Sequence, residues 1–218
     1  MADKQYRLVV FDWEGTLSDT LGQLIDTVSA VAEELGYGKI HEQNARKFVG
    51  YGLVIAVKKL FPDLTEQQHG TILAVVQNAM AVHSSAVYLF PGAFALLKQL
   101  HNSGVLLAVA TNCGEQGLKR TLQTAELTSF FTITRTASQA PPKPCPQMLE
   151  EIMAYCAIPP SQTLMVGDSP SDIEMAMAAG VDAVGVDFYE QQSDNLQASG
   201  AMQVFDDYSQ LARFLQSS

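Results

Sequence analysis

The sequence has few cysteines, few basic residues and no long apolar segment, and each shortage argues against a class of protein. Its three cysteines are odd in number and lack CxxC spacing, which argues against a disulfide framework or a zinc site. Its 13 Lys and Arg against 23 Asp and Glu give a net charge of −10. Nucleic acid or an anionic membrane would need a basic face, so we expect neither as the main partner. The apolar runs are far shorter than the roughly 20 residues that cross a bilayer, and we expect a cytoplasmic protein.

What the sequence does have is an acidic turn directly after an apolar run. Residues 6–11 predict a buried strand, which ends at the carboxylates Asp12 and Glu14 and is followed by Gly15 and Thr16. In an open parallel α/β sheet, residues just past the carboxyl end of a central strand line the ligand crevice. Taken alone, the pattern fits a plain strand-to-helix turn with solvated acids equally well.

The rest of the chain divides into a helical part and an alternating part. Residues 17–87 have helical spacing of apolar residues and almost no strand signal, whereas strands and helices alternate after residue 88. This order predicts the α/β fold class, with a doubly wound, Rossmann-like parallel sheet. We expect a core domain of residues 1–16 and 88–218 and an inserted α-helical cap domain of residues 17–87. Such an insertion beside the acidic turn could close over the crevice and exclude water.

Three later stretches place polar residues at predicted strand ends or on a stiff loop. Thr111 and Asn112 end one strand, Lys143 lies in a proline-rich loop, and Asp168 and Asp172 follow another strand. Each has a plain explanation alone: a turn, a solvated lysine, and acids that cap a helix. Because the carboxyl ends of parallel strands share one edge, we expect these residues to meet the first acid pair. Carboxylate oxygens suit Mg²⁺, and a cation together with Lys143 would offset their repulsion.

The order and spacing of these motifs resemble a known family. FDWEGTLSDT, Thr111-Asn112, Lys143-Pro144 and GDSPSD are similar to the four motifs of the haloacid dehalogenase-like (HAD) hydrolases. The helical insertion is similar to the cap of the subgroup that contains phosphoglycolate phosphatases and β-phosphoglucomutases. VGYGL at residues 49–53 resembles the phosphoglycolate phosphatase type. The resemblance covers nearly the whole chain and implies a Mg²⁺-dependent phosphatase, monomeric or homodimeric, that acts on a small phosphorylated metabolite.

The resemblance also implies roles for the acidic residues. Asp12 would be the nucleophile that forms an aspartyl-phosphate intermediate, which splits one difficult displacement into two easier ones. Asp12, Asp168 and the backbone carbonyl of Glu14 would hold Mg²⁺. Asp172 would belong to the same metal site, where it orients Lys143 or a metal-bound water.

Substrate contacts follow from the remaining motifs. The resemblance implies that Thr111 and the Asn112 N–H bind phosphate oxygens and that Lys143 stabilises charge on the phosphate and the nucleophile. Arg46 lies in the cap just before VGYGL and could reach a substrate carboxylate, because its guanidinium binds carboxylates through two parallel hydrogen bonds. A solvated helix residue is the plainer interpretation of Arg46.

One residue departs from the family pattern. Where the family has an aspartate as acid–base, two residues after the nucleophile, this sequence has Glu14. The extra methylene moves the carboxyl by roughly 1.5 Å, and a misplacement of about 1 Å can cost on the order of 10²-fold in rate. Alternatives are therefore a binding or regulatory protein with poor turnover, a phosphomutase, or a metal-independent dehalogenase. The acids at 168 and 172 argue against the dehalogenase.

Overall fold

The structure, a computed structural model, describes residues 6–40, 53–82 and 87–216. The chain divides into two compact units. A sheet unit is formed by Met1–Ser18 with Leu89–Ser218, and a helical unit is formed by Asp19–Tyr88. The apolar spacing predicts a short helix over residues 41–49, and this segment lies outside the described residues. The two predicted domains, with the cap closing over the core, stay a prediction.

The sheet unit contains six parallel strands in the order β3-β2-β1-β4-β5-β6. The strands are β1 Leu8–Phe11, β2 Leu106–Thr111, β3 Ile133–Thr136, β4 Thr163–Gly167, β5 Asp182–Val186 and β6 Val204–Phe205. The central strand β1 is apolar and buried along its whole length, as expected for a strand covered on both faces. Phe11, its last residue, pairs with Val109 of β2 and Val166 of β4. The residues that follow Phe11 therefore emerge between two neighbouring strand ends.

The helices are numbered in chain order across both units. They are α1 Thr20–Glu34, α2 Leu53–Leu60, α3 Glu66–Val82, α4 Ala93–Asn102, α5 Glu115–Thr124, α6 Gln147–Cys156, α7 Pro170–Ala178, α8 Ser193–Ala198 and α9 Tyr208–Gln216. Among these described helices, none is long and apolar enough to cross a membrane.

Both faces of the sheet are covered by helices. Leu8 and Val10 of β1 belong to one apolar cluster with residues of α6, α7 and α8, including Ile152, Ile173 and Leu196. Because side chains alternate along a strand, the neighbouring residues of β1 point to the opposite face, where α4 contacts both β2 and α9. This is the doubly wound arrangement, and the fold class predicted from the sequence is confirmed.

The helical unit has an apolar core of its own. It is built from α1, α2 and α3 by Val28, Val31, Ala32, Val57, Phe61, Ile72 and Val76. The carboxylate of Asp19 caps α1 by accepting a hydrogen bond from the Gly22 N–H at 2.7 Å. Before α3, the Thr65 N–H donates to the Gln68 side chain and the Gln68 N–H donates back to the Thr65 hydroxyl, at 2.9 and 3.4 Å. This reciprocal pair is a capping box.

Strand boundaries differ from the sequence expectation at one edge of the sheet. The sequence pattern predicts a short strand over residues 130–133, but the strand spans Ile133–Thr136, after a 3₁₀ turn at Thr128–Phe130. Because β3 is an edge strand, its polar residues Thr134 and Arg135 stay partly exposed, and the apolar pattern that marks a buried strand is weak there.

Candidate active site

The candidate site lies at the carboxyl edge of the central strands. Asp12 directly follows β1, Thr111 ends β2, and Asp168 directly follows β4. Lys143 lies in the loop between β3 and α6, and Asp172 lies in the first turn of α7. The parallel register of β1 with β2 and β4 brings the carboxyl ends of these three strands to one edge.

Lys143 is buried between two carboxylates. Its Nζ lies 2.8 Å from Asp12 Oδ1 and 2.6 Å from Asp172 Oδ1, and the three residues are only 7%, 6% and 0% exposed. Burial favours the neutral amine, but the charges of Asp12 and then Asp172 outweigh it and raise the pKa of Lys143. The Asn112 side-chain oxygen accepts a hydrogen bond from the Lys143 backbone N–H at 2.8 Å, which anchors the loop. Lys143 is therefore a fixed cation in contact with the first acid.

Asp172 has both carboxylate oxygens occupied by this chain. Oδ1 accepts from Lys143, and Oδ2 accepts from the Ser169 N–H at 3.1 Å and the Ser169 hydroxyl at 2.7 Å. Gly167 permits this approach, because a Cβ there would lie 2.3 Å from the Cβ of Asp172. The arrangement suits a residue that orients Lys143.

Three carboxylates converge within this cluster. Asp12, Asp168 and Asp172 each offer one oxygen, and these oxygens all lie within 4.8 Å of one another. Burial, with the charge of Asp172 adding to it, raises the pKa of Asp12 to about 6 despite the neighbouring Lys143. Burial and the charges of Asp12 and Asp172 raise the pKa of Asp168 to about 7. Together the three acids have more negative charge than one lysine can balance.

The geometry fits a divalent cation. Asp12 Oδ1 is buried and, although paired with Lys143 by charge, accepts no hydrogen bond from the described residues. Hard carboxylate oxygens are the ligands that Mg²⁺ prefers, and a cation would counter both the burial and the repulsion that raise the two pKa values. The donor set thus suits a divalent cation.

Two residues of the turn after β1, Gly15 and Thr16, lie directly against the carboxylate of Asp168. Gly15 has a φ of +78°, and a Cβ there would lie 2.1 Å from Asp168 Oδ2. The buried Thr16 hydroxyl donates to Asp168 Oδ1 at 3.0 Å. Sequence reasoning did not identify either contact, and the only signal for them was the Gly15-Thr16 pair directly after the acids.

One expected residue, Glu14, lies beside the cluster but outside it. The Glu14 side chain is exposed, and its carboxylate is not part of the three-acid group. Burial raises the pKa of the nearby Cys113 thiol to about 12. A hydrogen bond with Thr111 lowers this pKa, whereas a hydrogen bond with Glu14 and the negative charges of Glu14 and Asp12 raise it further. The thiol thus lies between Thr111 and Glu14, a position that sequence reasoning had not used.

The remaining expected residues are placed as follows. Thr111 is 1% exposed, and its hydroxyl accepts the Cys113 N–H at 3.2 Å. Asn112 is exposed beside it. Arg46 lies outside the described residues. The catalytic, substrate-binding and metal-binding roles assigned to all of these residues stay predictions.

A doubly wound sheet with a buried lysine and several carboxylates beyond its central strand defines an α/β protein suited to phosphoryl chemistry. The chain matches the model of the haloacid dehalogenase-like hydrolases over residues 9–186, and it belongs to that family. The family resemblance of the motifs is thereby confirmed.

Curated relatives point to a phosphatase. The chain is 30% identical to a phosphoglycolate phosphatase of Pseudomonas putida over 208 residues, which is 92% of this chain and 76% of the relative. It is 32% identical to a phosphoglycolate phosphatase of Pseudomonas fluorescens Pf0-1 over 191 residues, 84% of this chain and 70% of the relative. The chain is therefore an enzyme, a phosphoric monoester hydrolase, as the sequence predicted.

Solved structures share the fold. A HAD family hydrolase from Deinococcus radiodurans R1, with bound phosphate and sodium, superimposes with a TM-score of 0.73 at 21% identity, covering 99% of this chain and 97% of the other. A predicted phosphoglycolate phosphatase from Haemophilus somnus 129PT gives a TM-score of 0.66 at 22% identity, with coverages of 96% and 98%.

Proposed function

We propose that this chain is a Mg²⁺-dependent hydrolase of small phosphomonoesters that works through an aspartyl-phosphate on Asp12. The observation that supports this most directly is the buried group in which Lys143 contacts both Asp12 and Asp172, with a carboxylate oxygen of Asp168 within 4.8 Å of the other two acids. It combines a nucleophile, a fixed cation and a set of metal ligands at the carboxyl end of the central strand.

The first half-reaction is a displacement at phosphorus. A carboxylate oxygen of Asp12 forms a bond to phosphorus as the bond to the ester oxygen breaks, and Glu14 gives its proton to the departing alkoxide. Lys143 stabilises negative charge on the phosphoryl oxygens and on Asp12, while Thr111 and the Asn112 N–H donate to phosphate oxygens. Asp12 and Asp168, with the Glu14 carbonyl, would hold Mg²⁺, which when bound neutralises charge on the phosphoryl group.

The second half-reaction regenerates the enzyme. Glu14, now ionised, takes a proton from water, the water oxygen attacks phosphorus, and the bond from phosphorus to Asp12 breaks. Inorganic phosphate leaves, and Asp12 is free for another cycle.

We infer the substrate class from the curated relatives and the helical unit. Those relatives are phosphoglycolate phosphatases, so phosphoglycolate is the first substrate to test. We assign the choice among small phosphomonoesters to the helical unit, including Arg46.

The test is phosphate release from a panel of small phosphomonoesters, phosphoglycolate included, with Mg²⁺ and with EDTA. Wild type is expected to turn over only with Mg²⁺. Asp12→Asn is expected to lose at least about 10³-fold in kcat while unfolding at a similar temperature, since the amide cannot act as the nucleophile. Full activity of Asp12→Asn would show that the nucleophile lies elsewhere.

Glu14→Asp, measured in parallel, decides whether Glu14 is a working acid–base. If the Glu14→Asp variant turns over more slowly than wild type, the rest of the site is fitted to the longer glutamate side chain, and the hydrolase proposal stands. An inert wild type whose Glu14→Asp variant gains activity would instead indicate a phosphatase scaffold adapted to binding or regulation.

A further inference from the structure

A buried tyrosine from the C-terminal helix contacts the turn that follows β1. Tyr208, the first residue of α9, is 2% exposed, and its hydroxyl donates to the backbone carbonyl of Thr16 at 2.5 Å. Thr16 is fully buried and donates through Oγ1 to Asp168 Oδ1 at 3.0 Å. Two hydrogen bonds therefore connect α9 to the acidic cluster through a single residue.

The position of the hydroxyl is set by packing around its ring. The ring centroid of Tyr208 lies 5.0 Å from that of Phe188, which in turn stacks on Phe90 at 4.2 Å. The backbone at Gly92 also lies close to the base of this side chain, since a Cβ there would lie only 3.1 Å from the Cβ of Tyr208. Neighbours this close leave the ring little freedom, and the hydroxyl is held against the Thr16 carbonyl.

The surroundings of the Tyr208 hydroxyl keep it protonated, so that it acts as a hydrogen-bond donor. Burial, with the charge of Asp168 adding to it, raises the pKa of Tyr208 well above its ordinary value. The phenol therefore stays protonated at any pH at which the enzyme would work. It donates to the Thr16 carbonyl, and the Thr16 hydroxyl donates separately to Asp168.

We propose that Tyr208 is a positioning residue of the active site: it fixes Thr16, and Thr16 fixes the Asp168 carboxylate for the cation and the phosphoryl group. Groups that hold a ligand carboxylate by hydrogen bonds commonly change metal affinity by 10- to 100-fold when removed. Tyr208 lies beyond residues 9–186 that match the family model, so this role belongs to the C-terminal helix of this chain. The inference rests on the proposed function.

The test compares two tyrosine variants that each lose one hydroxyl. Tyr208→Phe removes the hydrogen bond to Thr16 and keeps the ring. Tyr6→Phe is the matched control, because the Tyr6 hydroxyl donates to Asp182 Oδ2 at 2.6 Å where β5 begins, at the opposite edge of the sheet. Mg²⁺ binding is measured by calorimetry without substrate, and kcat and KM are measured separately.

We expect Tyr208→Phe to weaken Mg²⁺ binding by about 10-fold and to lower kcat by about 10-fold, with KM changed less than about 2-fold. Tyr6→Phe should lower thermal stability to a similar extent and leave Mg²⁺ affinity and kcat unchanged. Equal effects of the two variants on Mg²⁺ affinity and kcat would overturn the proposal, because both hydroxyls would then be merely structural.

A double-mutant cycle tests the route through Thr16. Thr16→Val keeps the carbonyl and removes the hydroxyl that binds Asp168, so adding Tyr208→Phe to it should change Mg²⁺ affinity by less than about 2-fold. Fully additive effects would overturn the coupling. If wild type binds Mg²⁺ but hydrolyses no phosphomonoester, the proposed function fails, while the calorimetric comparison still decides the role of Tyr208.

Discussion

Lys143 shows how much the active site depends on single side chains. A buried ammonium loses its hydration, and this cost is offset only if its partners are close and correctly oriented. The contacts of 2.8 Å to Asp12 and 2.6 Å to Asp172 meet that condition. The same contacts place a positive charge between two buried carboxylates, so we expect Lys143 to serve stability as well as the catalysis proposed above.

Replacing Lys143 by Met should therefore damage both properties. Two buried carboxylates would lose their cation, and we expect a loss of about 3–5 kcal/mol in the free energy of unfolding at pH 8, together with a fall in kcat of at least about 10²-fold. The loss of stability should be smaller at pH 5.5, where Asp12 can take up a proton. Urea unfolding and phosphate release measure the two effects.

The control for this change is Lys98→Met, on the exposed surface of α4. Removal of an exposed lysine usually changes stability by less than about 0.5 kcal/mol. Equal stability losses in the two variants would show that the buried ion pairs contribute nothing specific.

At the scale of elements, the site depends on how tightly the turn after β1 approaches Asp168. Gly15 has a φ of +78° and no space for a side chain, because a Cβ would lie 2.1 Å from Asp168 Oδ2. Gly36 has nearly the same conformation, with a φ of +75°, but nothing lies within 4 Å of a Cβ there. Comparing alanine substitutions at these two glycines therefore separates the free-energy cost of the left-handed backbone from the cost of a steric clash.

We expect Gly36→Ala to cost about 1 kcal/mol in stability, from the left-handed backbone alone, and to leave kcat unchanged. Gly15→Ala should cost more and lower kcat by about 10²-fold, because Asp168 must move away from its position. Thermal unfolding and steady-state kinetics on both variants check this. Equal kcat values for the two variants would mean that the Asp168 position is not critical.

The same elements show what a sequence can and cannot predict. β1 and β4 end in apolar runs directly before acids, so the sequence alone could place Asp12 and Asp168 at one sheet edge. The sequence pattern does not predict β6, because Val204–Phe205 is too short to show a period, and it does not predict the short helix α8 before it. The contact of Tyr208 with Thr16 spans 192 positions, and no local pattern encodes it.

For the whole molecule, the raised carboxylate pKa values determine how stability depends on pH. The ordinary pKa of Asp12 and Asp168 is 3.8, but in the folded protein the values rise to about 6 and about 7. Between pH 4 and 7 the folded protein thus binds protons that the unfolded chain has already released, and stability falls as the pH rises through this window. The lowered pKa values of Asp207, Asp187, Glu66 and Glu151 act in the opposite direction, because hydrogen bonds favour their ionised forms, but they do so around and below the ordinary values of 3.8 and 4.5.

Metal-free protein should therefore unfold at a lower urea concentration at pH 8 than at pH 5, and saturating Mg²⁺ should remove most of this difference. A cation among the acids favours their ionised forms, and at a concentration 100 times its dissociation constant it adds about 2.7 kcal/mol of stability.

Asp168→Asn supplies the control, because the amide does not titrate, and its stability in EDTA should change less between the two pH values. If the wild type in EDTA became more stable from pH 5 to pH 8, ionisation of the acidic cluster would not destabilise the metal-free protein, and Mg²⁺ would have no such cost to offset. The buried charges of the cluster would then already be balanced by this chain alone.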